Sequence, residues 1–233
     1  MQAGSQSAGV ARLFNLGAHF GQVKSRRHPS MRPYLIGTKG RQEIIDLAQT
    51  TTQLAEAAAA MSTLAKEGKT VLYVGGKTEM SSILRAAAER VGAPFVASRW
   101  LGGTISNWVE IKKRVDRLAS LREERASGAL ARGHTKLELV LLEREEKRLA
   151  LRLDGLTGLA KRPDALVVVD PRHEHHAVKE ANDAHIPVIA IMNSDCDLRV
   201  ATYPVVANDA SREVVKVILD TLTTAFDEGR QIG

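Results

Sequence analysis

Val71-Leu72-Tyr73-Val74-Gly75-Gly76-Lys77-Thr78 decides the fold. Four consecutive apolar residues fit a strand buried on both faces, and the glycine pair closes it where a helix running through Arg90 begins. Gly92-Ala93-Pro94 breaks that helix, and Phe95-Val96-Ala97 reads as the next strand, so the unit is a strand, a crossover helix and a second parallel strand. Upstream, Leu47 to Glu67 is an alanine-rich helix with Leu54, Ala57, Ala58, Met61 and Leu64 at helical spacing and Gly68 as its stop. Downstream the alternation resumes after Pro163. Ala165 to Asp170 is a buried strand, His175 to Ala184 a helix, Pro187 to Ile191 a strand, Pro204 to Val206 a short last strand and Ser211 to Phe226 a helix. These elements predict an α/β fold, a flavodoxin-like or Rossmann-like three-layer sandwich with a mostly parallel sheet.

Two stretches do not fit the alternation. Trp108, Ile111, Val115 and Leu118 recur at three- and four-residue steps among charged residues, and Leu139, Leu142, Leu149, Leu153 and Leu156 repeat the pattern after Gly128 and Gly133. Each helix offers one narrow apolar stripe, which predicts an antiparallel coiled-coil hairpin over 108–158, inserted in the sheet domain (11–107 and 159–228) and projecting from it. Residues 1–10 and 229–233 are expected to be flexible tails. Arg99-Trp100-Leu101-Gly102-Gly103-Thr104-Ile105-Ser106-Asn107 joins the second strand to the hairpin. Trp100, Gly102 and Gly103 are expected to form a structural joint, while Thr104, Ser106 or Asn107 could cap the helix.

The 233 residues carry a formal charge of +6, which favours a polyanionic partner. Lys24, Arg26, Arg27, His28, Arg32, Lys39 and Arg41 crowd a proline- and glycine-broken region, with a short hairpin expected from Tyr34 to Ile36 and Glu43 to Ile45. A single cysteine, Cys196, excludes an internal disulfide and fits a reducing compartment. No apolar run is long enough to span a bilayer and no signal peptide is evident, so a cytoplasmic protein without a membrane partner is expected.

Enzymatic motifs are incomplete. A triphosphate-binding loop needs glycine five positions before Gly76, and Val71 stands there. Lys77 at a helix start could still meet another phosphate, so the alternative function is a nucleotide-binding α/β enzyme using Gly75 to Thr78 and Asp170. His173-Glu174-His175-His176 lacks metal-ligand spacing and reads as a polar helix start. Asp195, Asp197 and Asp209 form a loose acidic rim that, with His19, could take a magnesium or zinc ion if folding brought them together. No nucleophile, base and orienting group assemble, so no catalytic residue, small-molecule substrate, metal or cofactor is assigned.

The motifs Gly17-Ala18-His19-Phe20-Gly21, His28-Pro29-Ser30-Met31-Arg32-Pro33-Tyr34, Val74 to Lys77, Arg99 to Thr104, Leu142-Glu143-Arg144-Glu145, Pro163-Asp164-Ala165, Glu180-Ala181-Asn182 and Ile186 to Ala190 closely resemble, in order and spacing, the bacterial-type small-subunit ribosomal protein S-two family. The resemblance implies a non-catalytic protein on the cytoplasmic ribosome that contacts 16S-type ribosomal RNA and neighbouring small-subunit proteins, and that supports docking of the mRNA-capturing protein S-one. By position, the expected RNA contacts are Lys24, Arg26, Arg27, Arg32, Lys39, Arg41, Lys77, Arg99, Thr104, Asn107, Lys112 and Lys113. Trp100 could stack on a base or fill a core pocket, and the core role is favoured. Asn193-Ser194-Asp195-Cys196-Asp197-Leu198, Ala207 and the hairpin tip from Gly128 to Thr135 depart from the family pattern.

Overall fold

The computed structural model describes residues 2–128 and 133–232, so the hairpin turn at 129–132 lies outside the described residues. In chain order the main elements are α1 (Gln2–Asn15), β1 (Phe20–Val23), β2 (Leu35–Lys39), β3 (Gln42–Ile45), α2 (Leu47–Lys66), β4 (Val71–Val74), α3 (Thr78–Arg90), β5 (Phe95–Val96), α4 (Trp108–Ala126), α5 (Lys136–Leu153), β6 (Ala165–Val169), α6 (His175–Asp183), β7 (Val188–Met192), β8 (Tyr203–Val206) and α7 (Arg212–Ile232).

The five long-range strands form one parallel sheet in the order β5-β4-β6-β7-β8. Numbered by their own sequence this is 2-1-3-4-5, the flavodoxin-like order, and it puts the topological switch point between β4 and β6. Strand alternation sorts the side chains. Val71, Tyr73, Val167, Val169, Ile189 and Ile191 enter a core with α2, α3 and α7. Leu72, Val74, Leu166, Val168, Val188 and Ala190 enter a second core on the opposite face. Both faces are dry, which is why these strands are continuously apolar and read clearly from sequence.

The second core shows how the hairpin is attached. Trp108, Ile111, Val115 and Leu118 of α4 and Leu153 of α5 pack with Leu72 and Val74, so the hairpin base shares the core of the sheet domain and only its distal part stands clear of it. Arg117 pairs with Glu145 and Arg125 with Glu146 across the two helices. Helix α5 opens with a capping box: Thr135 Oγ1 accepts the Glu138 N–H, and Glu138 Oε2 accepts the Thr135 N–H.

Three expectations are corrected. Residues 2–10 are helical, as part of α1, whose Leu13 is buried against the first core. The expected C-terminal tail continues α7 to Ile232, and Gly229 is buried where α7 crosses α2. A Cβ at Gly229 would overlap the Ser62 carbonyl and crowd Ala65, so the close crossing needs the missing side chain. The basic region contains a 3-10 helix at Pro29–Tyr34 and a three-stranded antiparallel sheet, β1-β3-β2, where only a two-stranded hairpin was expected.

Candidate nucleic-acid interface and the joint beside it

The basic region is held as a platform by a few polar contacts with the body. Gln22 N–H donates to Ser194 Oγ at 2.8 Å, His28 N–H to the Ser194 carbonyl at 2.9 Å, and Leu198 N–H to Ser30 Oγ at 3.1 Å. Ser194 is fully buried and serves two strands of backbone at once. Around this anchor Lys24, Arg26, Arg32, Lys39 and Arg41 are exposed, and none forms an ion pair with a described residue. Arg27 differs from its neighbours, because its Nη1 lies 3.3 Å from Oε1 of Glu43. Glu43 is 1% exposed, and a buried carboxylate needs a partner, so part of the Arg27 guanidinium is committed inside the platform, which sets it apart from the five unpaired cations.

At the switch point Lys77 is likewise committed. Its Nζ lies 2.6 Å from Asp170 Oδ2 and 3.5 Å from Asp209 Oδ2. Asp170 sits in the left-handed backbone region at φ 58°, where its Oδ1 accepts the N–H groups of Arg172 and His173. Burial alone would pull the Lys77 ammonium down, but the charges of Asp209 and Asp170 outweigh it and hold its pKa above the ordinary value. The cation that an RNA or nucleotide phosphate would need is therefore neutralised by two carboxylates of the chain itself, which argues against both the expected RNA contact of Lys77 and the phosphate site of the enzyme alternative.

Asp209, 2% exposed, also accepts a hydrogen bond from Asn193 Nδ2 at 3.0 Å. Burial, with the Asp170 charge adding to it and Lys77 opposing, pushes its carboxyl up to about 6 from 3.8. Between those values the folded chain keeps a proton that the unfolded chain has lost, so this group costs stability increasingly as pH rises through that window. Asp209→Asn keeps the acceptor for Asn193 and leaves Lys77 its closer partner. It is expected to raise unfolding free energy by roughly 1–2 kcal/mol near pH 7.5 and to change nothing near pH 4, as read by urea denaturation at both values. A variant less stable at the higher pH would show that the Asp209 charge is needed.

The acidic rim does not converge. Asp195 pairs with Arg172 at 2.7 Å, Asp197 with Arg199 at 2.8 Å, and Asp209 with Lys77, while the His19 ring is stacked on Phe14 and packs at a tilt against Phe20. Among the described residues no group of three metal-ligating side chains gathers. His173 Nδ1 lies 2.6 Å from Glu174 Oε1, and the same oxygen accepts the Gly76 N–H at 2.8 Å, so this buried glutamate ties α6 to the end of β4.

The joint from Arg99 to Asn107 is organised by a residue the sequence reading gave no role, Glu180 of α6. Its Oε1 accepts from Trp100 Nε1 at 3.1 Å and from Gly103 N–H at 2.8 Å, and its Oε2 accepts from Ile105 N–H at 3.0 Å and from the Ser106 N–H and Oγ at 3.2 Å. Gly103 has φ 92°, a left-handed conformation open to glycine, which turns its N–H toward the carboxylate. Trp100 is 7% exposed and packs in the second core, as favoured from sequence. Thr104 is 1% exposed and donates its hydroxyl to the Leu101 carbonyl at 2.6 Å, so its expected RNA contact is corrected to an internal one. Asn107 occupies the N-cap position of α4 without a side-chain cap bond, and Ser106 serves Glu180 instead of the helix. Arg99, Gly102 and Asn107 are exposed. Lys112 and Lys113 carry surface ion pairs to Asp116 and Glu110, at 2.8 Å and 2.6 Å, and such pairs are weak enough to open for a polyanion.

The body is flavodoxin-like, its switch point is filled by its own ion pairs, and the loop platform beside it carries exposed, unpaired cations. Comparison with known proteins makes the assignment specific. The family described as "Ribosomal protein S2" matches residues 13–229. The chain is 38% identical over 223 residues to "Small ribosomal subunit protein uS2" of Dictyoglomus thermophilum, covering 96% of this chain and 90% of that one. It is 37% identical to "Small ribosomal subunit protein uS2c" of Rhodomonas salina, covering 94% and 90%, and 38% identical to the uS2 protein of Trichormus variabilis, covering 95% and 83%. The chain belongs to the ribosomal protein S2 family, whose members are structural proteins of the small ribosomal subunit and not enzymes.

Proposed function

We propose that the chain is a constituent of the small ribosomal subunit that binds small-subunit ribosomal RNA through the loop platform, with Arg99, Asn107, Lys112 and Lys113 extending the contact along the joint and the first turns of α4. The observation that carries this reading is the set Lys24, Arg26, Arg32, Lys39 and Arg41, all exposed and unpaired among the described residues, on backbone pinned by Ser194. Such cations neutralise phosphates, and each neutralised phosphate releases counterions. Such contacts set position and register and do not read bases. The family resemblance adds docking of protein S-one and residence on the cytoplasmic ribosome to the same reading. No helix among the described residues is long and apolar enough to cross a membrane.

The test is salt-dependent binding of the full chain to small-subunit RNA. Replacing Arg26 and Arg41 together by glutamine should lower the magnitude of the slope of log K against log salt by about two, with melting temperature unchanged. Unchanged affinity and slope would remove the platform from the interface. The enzyme reading predicts saturable nucleotide binding that Lys77→Ala abolishes, and the internal neutralisation of Lys77 argues against it.

A further inference from the structure

The carboxyl ends of four strands carry a chain of polar contacts: Lys77 lies beyond β4, Asp170 beyond β6, Asn193 beyond β7 and Asp209 in the loop after β8. Lys77 joins Asp170 to Asp209, and Asp209 accepts from Asn193 Nδ2 at 3.0 Å. Asn193 is 1% exposed, and an ionised carboxylate can only accept, so the amide nitrogen points to Asp209 and leaves the amide oxygen free for another donor. That oxygen accepts the Ser194 N–H at 2.7 Å. Ser194 in turn accepts the N–H groups of Gln22 and His28, so the contacts run from the centre of the sheet to the loop platform.

The segment that donates those bonds has little else to hold it. From Gln22 to His28 no residue is buried, and its backbone bonds to the body are the two that Ser194 accepts. Its side chains add Arg27 to Glu43 within the platform and the His28 ring 3.8 Å from Asp197. Lys24 and Arg26 stand on this segment. The following part of the platform is held differently, because Met31 and Ile45 are buried in the second core.

We propose that Asn193 is a positioning residue for RNA binding: clamped by the Asp209, Lys77 and Asp170 cluster, it fixes Ser194 and so holds Lys24 and Arg26 where phosphates can meet them. This rests on the reading that the platform binds RNA. The strand ends, where a flavodoxin-like fold usually takes a ligand, serve here as an internal anchor for a surface beside them. Burial sets the direction of dependence. Asn193 and Asp209 are buried and satisfy each other, so neither shifts without leaving a polar group unpaired, whereas Lys24 and Arg26 face solvent.

The first arm of the test needs no RNA. Backbone amide hydrogen exchange is followed in the full chain for wild type, Asn193→Ala, Asp209→Asn and Leu219→Ala. Asn193→Ala is expected to speed exchange at Gln22 and His28 about tenfold or more relative to the amides of β4 and β6. Asp209→Asn keeps the acceptor for Asn193 and should leave that ratio as in wild type. Leu219→Ala opens a cavity in the first core, so it destabilises the chain without touching these contacts and should not raise the ratio. A ratio unchanged in Asn193→Ala, or raised as much by Leu219→Ala, would overturn the proposal. Should Asn193→Ala not fold, Asp209→Ala is compared with Asp209→Asn, and equal ratios in those two would overturn it.

The second arm measures binding of the same chains to small-subunit RNA against salt, at a temperature where each is folded. Loss of Lys24 and Arg26 from the contact should lower the magnitude of the slope of log K against log salt by about two in Asn193→Ala, and leave it unchanged in Asp209→Asn and Leu219→Ala. An unchanged slope in Asn193→Ala, where Arg26→Gln with Arg41→Gln does lower it, would overturn the positioning role alone. If that double variant lowers nothing either, the RNA reading fails and the positioning role falls with it, whatever the exchange ratio shows.

Discussion

Glu180→Ala is expected to lower the unfolding free energy of the isolated chain by about 3–5 kcal/mol, a large effect for a half-buried polar residue. The carboxylate is the common acceptor for Trp100 Nε1 and for the backbone N–H groups of Gly103, Ile105 and Ser106, four donors from one loop. Removing it leaves at least the donors of the buried Trp100 and Ile105 without a partner, and hydrogen bonds to a charged acceptor each contribute about 1.5–3 kcal/mol. Exposed Ser106 can turn to water, so its share is smaller. Glu180→Gln should recover little, because its amide NH2 would face donors at one oxygen position. The pH dependence is specific. Burial pushes the Glu180 carboxyl up, but the hydrogen bonds from Gly103, Ile105, Ser106 and Trp100 outweigh it and hold the pKa below the ordinary 4.5. The stabilisation is therefore fully present above that value and is lost as pH falls through the lower folded-state pKa. Denaturation curves across the acid range should show wild type losing stability in a window where the alanine variant has none left to lose. Parallel curves would mean that Glu180 is not ionised in the fold.

Trp100→Ala is the second large effect, a loss of about 3–5 kcal/mol, because an indole 7% exposed leaves a cavity between the sheet and the hairpin base and frees an oxygen of Glu180. Its neighbour provides the control. Arg99 is exposed, so Arg99→Ala should change stability by less than about 0.5 kcal/mol and yet weaken association with the small subunit. Equal melting temperatures for wild type and the Trp100 variant would contradict this division between a buried joint residue and an exposed arginine. Because Trp100 and Glu180 touch, the double variant should cost less than the sum of the two.

The strands of the body were legible because each is apolar on both faces, as in Val71 to Val74 and Ala165 to Val169. The hairpin helices were legible from their narrow stripes, and α4 and α5 do pack on each other, but that Trp108 to Leu118 share one buried cluster with sheet residues such as Leu72 and Val74 was not legible. The helical start at Gln2 was hidden by a Gly-, Ser- and Gln-rich composition of modest helix propensity, and the end of α7 by a glycine that reads as a stop and serves as a close crossing. At the site, positive charge marked the basic region correctly as a cluster but could not tell a free cation from a spent one. Arg27 and Arg26 are neighbours in sequence, yet Glu43 claims one of them. Lys77 meets Asp209 across 132 positions, and Glu180 reaches Gly103 across 77. Backbone donors at Gly103, Ile105 and Ser106 carry no mark in the sequence of the acceptor they meet, so Glu180 could not be read as their partner.

The most direct test of the ribosomal account is sedimentation of the tagged full chain at low salt, followed by crosslinking and mapping of the RNA-linked residues. The account predicts that the chain travels with small subunits and that crosslinks fall on Lys24, Arg26, Arg32, Lys39 and Arg41 while sparing Arg27 and Lys77. A chain found wholly in the ribosome-free fraction, or one crosslinked to RNA at Lys77 and not on the platform, would contradict it.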